Sequence, residues 1–339
     1  MQQNCAGIIE YCDNSQVEGI AFHKDDMLVA NIRPYLKKAW FASFSGACST
    51  DVLVVHATNV EPRFLHYLIS NDTFFSYVMT GAKGSKMPRG DKTHIIKMPT
   101  AIPSSGEQIK IASFIEILDS RIDIQKQIIE FLKKYKRGVI NRIFTSEDGK
   151  WKSIRLGDYV SIMRGGSPRP IDEYITTERN GVNWIKIGDA PSDALYVTKA
   201  KEKIKLSGVK KSRRVYTGDL ILSNSMSFGR PYILKIDGCI HDGWLLIRDE
   251  QNLFDKRFLC YYLGSDIVIS QYKRYAAGSC VNNLNSELVG DVEIHYPPLE
   301  TQQYIAKILE ALDSKIEIEN SQFLQLEQMK SALMQQLFI

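Results

Sequence analysis

The chain has 339 residues, 44% of them apolar, which is enough for two packed domains and a connector. Its 43 basic and 39 acidic residues leave a net charge of only +4, so net charge alone names no nucleic-acid or membrane partner. No stretch reaches about eighteen apolar residues and no basic segment precedes an apolar core at the N-terminus, so a soluble, cytoplasmic protein without a membrane partner is expected.

Residues 1–103 read as a first, mostly β domain with one helix. Asp26–Ile32 and Ser49–Ala57 have the dense apolar character of short strands, and Glu61–Gly81 carries apolar residues at helical spacing with Pro62 suited to a first turn. Pro99 and Pro103 break the chain before residues 104–145, where Ser104 or Ser105 can cap a long helix. Residues 146–298 form a second domain. It opens on a polar linker and holds a Gly165-Gly166-Ser167-Pro168-Arg169-Pro170 loop. Strands are expected near 183–189, 215–223 and 243–249, and a helix over 255–273. Residues 299–339 form a second long helix.

The two long helices are one stretch written twice, at a constant offset of 194 residues. Ala112 meets Ala306, Leu118-Asp119-Ser120 meets Leu312-Asp313-Ser314, and Phe144 meets Phe338. Ile115, Leu118, Ile122, Ile129, Leu132, Val139 and Ile143 make a heptad seam, repeated as Leu309, Leu312, Ile316, Phe323, Leu326, Leu333 and Leu337. Gln125 and Lys136 break the first seam, and Glu319 and Lys330 break the second. A parallel pairing would oppose Lys136 and Lys330. An antiparallel pairing sets Lys136 against Glu319 and Gln125 against Lys330, and is therefore expected within one chain; the same pattern could also serve two chains.

The repeat extends into the domains. Arg63-Phe64-Leu65 matches Arg257-Phe258-Leu259, Gly84-Ser85 matches Gly278-Ser279, and Asp26–Val29 matches Asp219–Leu222. Arg33-Pro34-Tyr35 matches Arg230-Pro231-Tyr232 at an offset of 197, which implies extra loop residues near 225–228 in the second copy. The first domain lacks a counterpart to roughly Trp151–Asp193. Either another polypeptide supplies that piece, or the first copy is truncated, with altered specificity or none.

Two similar domains joined by paired helices suit a bipartite target, and DNA is the natural one, because half-site spacing mirrors the geometry of its reader. The chain resembles the specificity subunits of type I restriction–modification systems, an α+β arrangement of two target recognition domains separated by two helical spacers that pair as an antiparallel coiled coil. The resemblance rests on Leu156-Gly157-Asp158, Gly165–Pro168, Asn183-Trp184-Ile185, Gly218–Leu222 and the Pro297-Pro298-Leu299-Glu300-Thr301-Gln302 entry into a spacer helix. It implies a non-enzymatic subunit that reads a two-part sequence in double-stranded DNA and recruits methyltransferase and restriction subunits. S-adenosylmethionine, ATP and Mg²⁺ then belong to those partners, and this chain takes no cofactor. The competing reading is an adaptor that binds proteins through its coiled coil and reads no DNA.

No catalytic constellation competes with either reading. Asn31-Ile32-Arg33-Pro34-Tyr35 only approximates the asn-pro-pro-tyr motif of amino-methyltransferases, lacking its first proline and any glycine-rich cofactor loop. The six cysteines are scattered without a CxxC pair, which predicts free thiols, and the six histidines show no metal-ligand spacing. For DNA contact, phosphates favour Lys and Arg, and base edges favour Arg and small polar residues on loops. The candidates are Arg33, Lys83, Ser85, Lys86 and Arg89 in the first domain. Those in the second are Arg164, Arg169, Lys210, Lys211, Arg213, Arg230, Lys273, Arg274 and Ser279. Ordinary turns, strand-end packing and solvated surface remain the alternatives for these positions. Lys210–Arg214 belong to a run from Lys199 to Arg214 holding eight basic residues and one Glu.

Overall fold

Local sequence sets where each helix starts. A computed structural model describes residues 1–8, 19–145, 151–191, 194–224, 229–276 and 283–338. Helix α1 (Pro62–Ile69) begins on a proline and is capped by Glu61, whose carboxylate accepts from the Phe64 amide at 2.8 Å. The single helix expected over Glu61–Gly81 is two. Asn71 caps a new start through the Thr73 amide, so α2 covers Asp72–Thr80. Helix α3 (Lys92–Ile96) is capped by Asp91. Helix α4 (Ser105–Thr145) opens with Glu107 reaching back to accept from the Ser104 amide at 3.0 Å and from the Ser104 hydroxyl at 2.7 Å. Helix α5 (Leu206–Val209) is one turn. Helices α6 (Lys256–Leu263) and α7 (Asp266–Ala276) split the second expected helix at Gly264-Ser265, repeating the break between α1 and α2. Helices α8 (Ser286–Gly290) and α9 (Leu299–Leu337) complete the set.

The chain divides into two compact units, Met1–Ile128 with Asn320–Ile339, and Ile129–Glu319. Each therefore contains part of α4 and part of α9. In the first unit an antiparallel sheet runs in the order Ala39–Phe41, Met27–Ala30, Val52–Val55, and a ribbon pairs Ile20–Phe22 with Gly46–Cys48. The second unit repeats this pairing. Leu220–Ser223 lies between Pro231–Leu234 and Trp244–Arg248, and Arg213–Val215 pairs with Gly238–Ile240. Further strands widen both sheets to five. Ser161–Arg164 pairs with Trp244–Arg248, and Val182–Ile185 lies parallel to Gly238–Ile240. Those two added strands come from the stretch without a counterpart in the first domain.

Strand register corrects one sequence alignment. Leu220 faces Ile233 as Met27 faces Phe41, so Pro231–Leu234 is the partner of Ala39–Phe41, and Arg230 does not correspond to Arg33. Arg33 instead caps a 3-10 turn over Pro34–Leu36, and Tyr35 is half exposed while Tyr232 is buried. The shared Arg-Pro-Tyr is a coincidence of letters, and the connection after Leu220–Ser223 is not the longer one.

A polar clamp repeats residue for residue in both units. In the first, the Arg63 guanidinium donates to Glu61 at 2.9 Å and to Glu116 on α4 at 3.0 Å. Buried Gln108 accepts from the Glu61 amide at 2.8 Å and donates to the Pro103 carbonyl at 2.8 Å. The Tyr67 hydroxyl donates to Asp119 at 3.1 Å, and Asp119 also takes the ammonium of Lys330 on α9. In the second unit Arg257 joins Asp255 at 3.1 Å and Glu310 at 2.9 Å, and Gln302 joins the Asp255 amide at 2.9 Å and the Pro297 carbonyl at 2.9 Å. Tyr261 donates to Asp313 at 2.6 Å, and Asp313 takes Lys136 of α4. Every member is offset by 194.

The clamp overturns the expected pairing of Lys136 with Glu319 and of Lys330 with Gln125. Asp313 lies six residues nearer the start of α9 than Glu319, and Asp119 lies six before Gln125 on α4. The physical reason is desolvation: a lysine left in the seam would bury its charge, whereas the aspartates flank the seam and are already oriented by a tyrosine. Glu319 is bridged by Lys315 one turn away, and Gln125 is buried. The helices do run antiparallel. In the first unit Lys330 meets Asp119, and Lys126 lies 5.4 Å from the Phe323 ring centroid, so numbers rise on one helix as they fall on the other.

The seam also leaves its heptad course at the helix ends. Met334 and Phe338 are buried where Leu333 and Leu337 were expected, because Phe338 meets Phe64 at 5.2 Å between ring centroids. Phe144 likewise meets Phe258 at 5.6 Å and Tyr262 at 4.8 Å. Burying one such ring contributes about 1.5–3 kcal/mol.

Two measurements follow. In a double-mutant cycle, Lys136→Met and Asp313→Asn should couple by about 1–3 kcal/mol in urea unfolding, while Lys136→Met and Glu319→Gln should show under about 0.5 kcal/mol. Coupling to Glu319 instead would restore the original register. The Ser265 hydroxyl is buried without a hydrogen-bond partner, whereas Asn71 at the equivalent place donates to the Met334 carbonyl at 2.8 Å. Ser265→Asn should copy that bond and raise the melting temperature by roughly 2–4 °C.

Candidate nucleic-acid interface

The first-domain candidates converge because two backbone bridges fold their loop onto a strand end. Lys83 and Arg89 exchange both amide–carbonyl bonds at 2.9 Å, with Gly84 at φ +97° making the turn between them. Ile32 bridges to Arg89, and the Arg33 amide donates to the Pro88 carbonyl at 2.8 Å. Arg33 holds φ +53°, a left-handed conformation that costs free energy in an arginine and that the loop contact sustains. Arg33, Lys83, Ser85, Lys86 and Arg89 are all exposed on this cluster. Two of the cations are tethered: Lys83 to Asp91 at 2.7 Å and Arg89 to Asp51 at 3.2 Å.

In the second domain the organising residue is Asp242, in the turn before Trp244–Arg248. Gly165 and Gly166 let the loop lie against that turn. A Cβ on Gly165 would meet the His241 carbonyl oxygen at 2.1 Å, and the Gly165 amide donates to the Trp244 carbonyl at 2.8 Å. Ser167 then donates its hydroxyl to Asp242 Oδ1 at 2.8 Å. The Gly243 amide donates to His241 Nδ1 at 2.9 Å, so the ring proton sits on Nε2, which faces Asp242 Oδ1 at 2.9 Å. Arg169 Nη2 lies 3.6 Å from Asp242 Oδ2. Burial alone would push the Asp242 carboxyl up, but Ser167, His241 and Arg169 hold it below its ordinary value.

Arg164 and Arg213 join the same cluster through their Nε groups. Arg164 donates to the Asp242 carbonyl and Arg213 to the Arg164 carbonyl, each at 3.2 Å. Lys211 stands over the Tyr174 ring at 4.9 Å, and exposed Lys210 precedes it. A cavity of about 840 Å³ opens beside the loop, lined by Pro168, Arg169, Ile171, Trp184, Lys186 and His241.

Other candidates do not join this cluster. Arg230 is half-buried and lines a separate cavity of about 340 Å³ with Arg137, Tyr261 and Asp266. Lys273 and Arg274 are exposed on α7, where the Arg274 guanidinium stacks on Tyr275 at 5.2 Å. Ser279 lies outside the described residues. Sequence reading missed Asp242 and His241, because an acid in a basic region carries no DNA-binding signal; only the His-Asp-Gly turn before an apolar strand could have marked the place.

The site supplies hydrogen-bond donors and positive charge. Among the described residues no group of three or more His, Cys, Asp or Glu side chains is arranged to hold a metal ion, and no helix is long and apolar enough to cross a membrane. Residues 13–134 and 148–328 both match the family model described as the type I restriction modification DNA specificity domain. The chain belongs to that family. It is 27% identical over 301 residues to the putative type I restriction enzyme MjaX specificity subunit of Methanocaldococcus jannaschii, covering 81% of this chain and 67% of that protein. A solved chain from work on complex assembly and conformational transition of the type I R-M system shares the fold with a TM-score of 0.67 at 20% identity, over 93% of this chain and 82% of that one. The S subunit from M. genitalium does so with a TM-score of 0.59 at 15% identity, over 100% of this chain and 90% of that one.

Two outcomes test the site's construction. Gly165→Ala forces the loop off the His241 carbonyl and should cost on the order of 2 kcal/mol, read as a fall in melting temperature of several degrees. An unchanged melting temperature would mean the loop packs differently. His66, beside the clamp of the first unit, is pushed down to about 4 from 6.5 by burial, with Lys330 adding to that effect and Asp119 opposing it. A histidine that resists protonation when folded binds more protons when unfolded, so stability falls as pH drops from about 6.5 towards 4. His66→Gln should remove part of that loss, and a pH profile identical to the parent's would contradict it.

Proposed function

We propose that this chain is the DNA-reading component of a type I restriction–modification enzyme. Each domain reads one part of a two-part sequence in double-stranded DNA, and methyltransferase subunits assemble on the paired helices, with restriction subunits joining the full enzyme. The observation that carries the reading is that one clamp repeats in both units and that each domain also carries a basic loop cluster, built from arginines and lysines on glycine-containing loops. S-adenosylmethionine, ATP and Mg²⁺ act on the partner subunits in this reading. The partner surface has its own support: Phe114, Ile117, Ile124, Ile128, Phe131 and Tyr135 recur at heptad spacing on α4, and all are exposed.

Selection of binders from a randomised duplex pool tests the DNA reading. The expected result is an enriched motif in two parts with a fixed gap, and affinity that falls steeply with salt. Retention that is salt-sensitive but blind to sequence would contradict it and favour the adaptor reading. Separately, Ile117→Glu with Ile124→Glu should weaken capture of methyltransferase subunits by tenfold or so while leaving the selected motif unchanged. Unaltered capture would move the partner surface elsewhere.

A further inference from the structure

Within the DNA-reading role just proposed, on which this inference rests, we infer that Arg169 reads a guanine in the major groove and that Asp242 is the residue that positions it. Arg169 is exposed, with 81% of its side chain accessible. It stands between Pro168 and Pro170, which restrict the loop backbone and lower the cost of holding one geometry. Its Nη2 faces Asp242, so the remaining donors of the guanidinium fork point away from the carboxylate. Guanine offers O6 and N7 side by side, the acceptor pair that fits such a fork.

The carboxylate decides between base and phosphate. A phosphate brought to Arg169 would also approach Asp242, which is 30% exposed and held ionised by its neighbours. A guanine edge carries no such charge. The neighbouring cations are not arranged this way: Arg164 and Arg213 are anchored to backbone carbonyls, leaving their outer nitrogens suited to phosphate. Asp242 is itself fixed, because Ser167 and His241 both occupy Oδ1 and only Oδ2 faces the arginine. The arrangement thus separates a fixed acceptor, which aims one arginine, from flanking cations that set the register.

The test is base-by-base discrimination, measured on the full chain with the selected duplex and its single-position variants. The parent should show one guanine whose replacement weakens binding by roughly five- to a hundredfold. Arg169→Ala should flatten discrimination at that position alone. Arg169→Lys should not restore it, since an ammonium cannot bridge O6 and N7 as a fork does. Asp242→Asn should reduce discrimination at the same position while leaving the melting temperature and the salt slope close to the parent's; a merely structural role would weaken all positions together.

If the parent selects a motif but Arg169→Ala weakens every sequence evenly and lowers the salt slope by about one, Arg169 contacts phosphate and the inference fails. It fails equally if the discrimination lost with Arg169 is at a base other than guanine, or if none is lost. A parent that selects no motif overturns the DNA-reading role itself, and this inference with it.

Discussion

The constraint on which the rest depends is the burial of a long helix end against a domain helix, which forces the charged groups at that junction to find partners. An arginine and a tyrosine of α1 or α6, and the backbone amide of the acid that caps it, cannot face α4 or α9 unpaired, since a buried donor left unsatisfied costs about 1–3 kcal/mol. Glu116 and Glu310, Asp119 and Asp313, and Gln108 and Gln302 answer them. Because equivalent helices meet in the two units, α4 with α1 in the first and α9 with α6 in the second, one solution serves twice. The lysines that interrupt the seam belong to this solution, and the clamp rather than the hydrophobic heptads sets which residues face one another.

Much of the architecture was legible in the sequence because duplication is a signal independent of propensity. Both long helices, the capped entry at Ser104 and most of the expected strands are found near their expected places. The misses have identifiable causes. Ser70-Asn71 and Gly264-Ser265 end one helix and start another inside an unbroken apolar period, since a cap overrides periodicity. The heptad count sets Lys136 against Glu319, whereas Lys136 with Asp313, Lys330 with Asp119 and Lys126 with Phe323 all share one register that lies six residues from that count. The Arg-Pro-Tyr match misled for a simpler reason: three shared letters weigh less than strand register, which places Pro231 opposite Leu222 and Arg33 in a turn.

The candidate interface was legible by residue type and not by grouping. Loops 164–170 and 210–214 are some forty residues apart in sequence, and only the pairing of Gly238–Ile240 with Arg213–Val215 brings them to one turn. Half of the cations that converge in the first domain and most of those in the second are tied to an acceptor, whether Asp51, Asp91, Asp242, Tyr174 or a carbonyl. Tethering keeps long cationic side chains from sampling many rotamers, and the entropy already spent in the free protein is not charged again on binding. It also places negative charge within a basic surface, which favours partners that present patterned acceptors over a uniform phosphate field.

The central claim is that the two loop clusters read two separate pieces of one DNA site. A hydroxyl-radical footprint of the full chain on its selected duplex tests it most directly, run beside Lys83→Ala/Arg89→Ala and Arg169→Ala/Lys211→Ala variants. The account predicts two protected tracts with an unprotected gap, one erased by the first variant and the other by the second. A single continuous tract, or a loss that falls on both tracts with either variant, would contradict it.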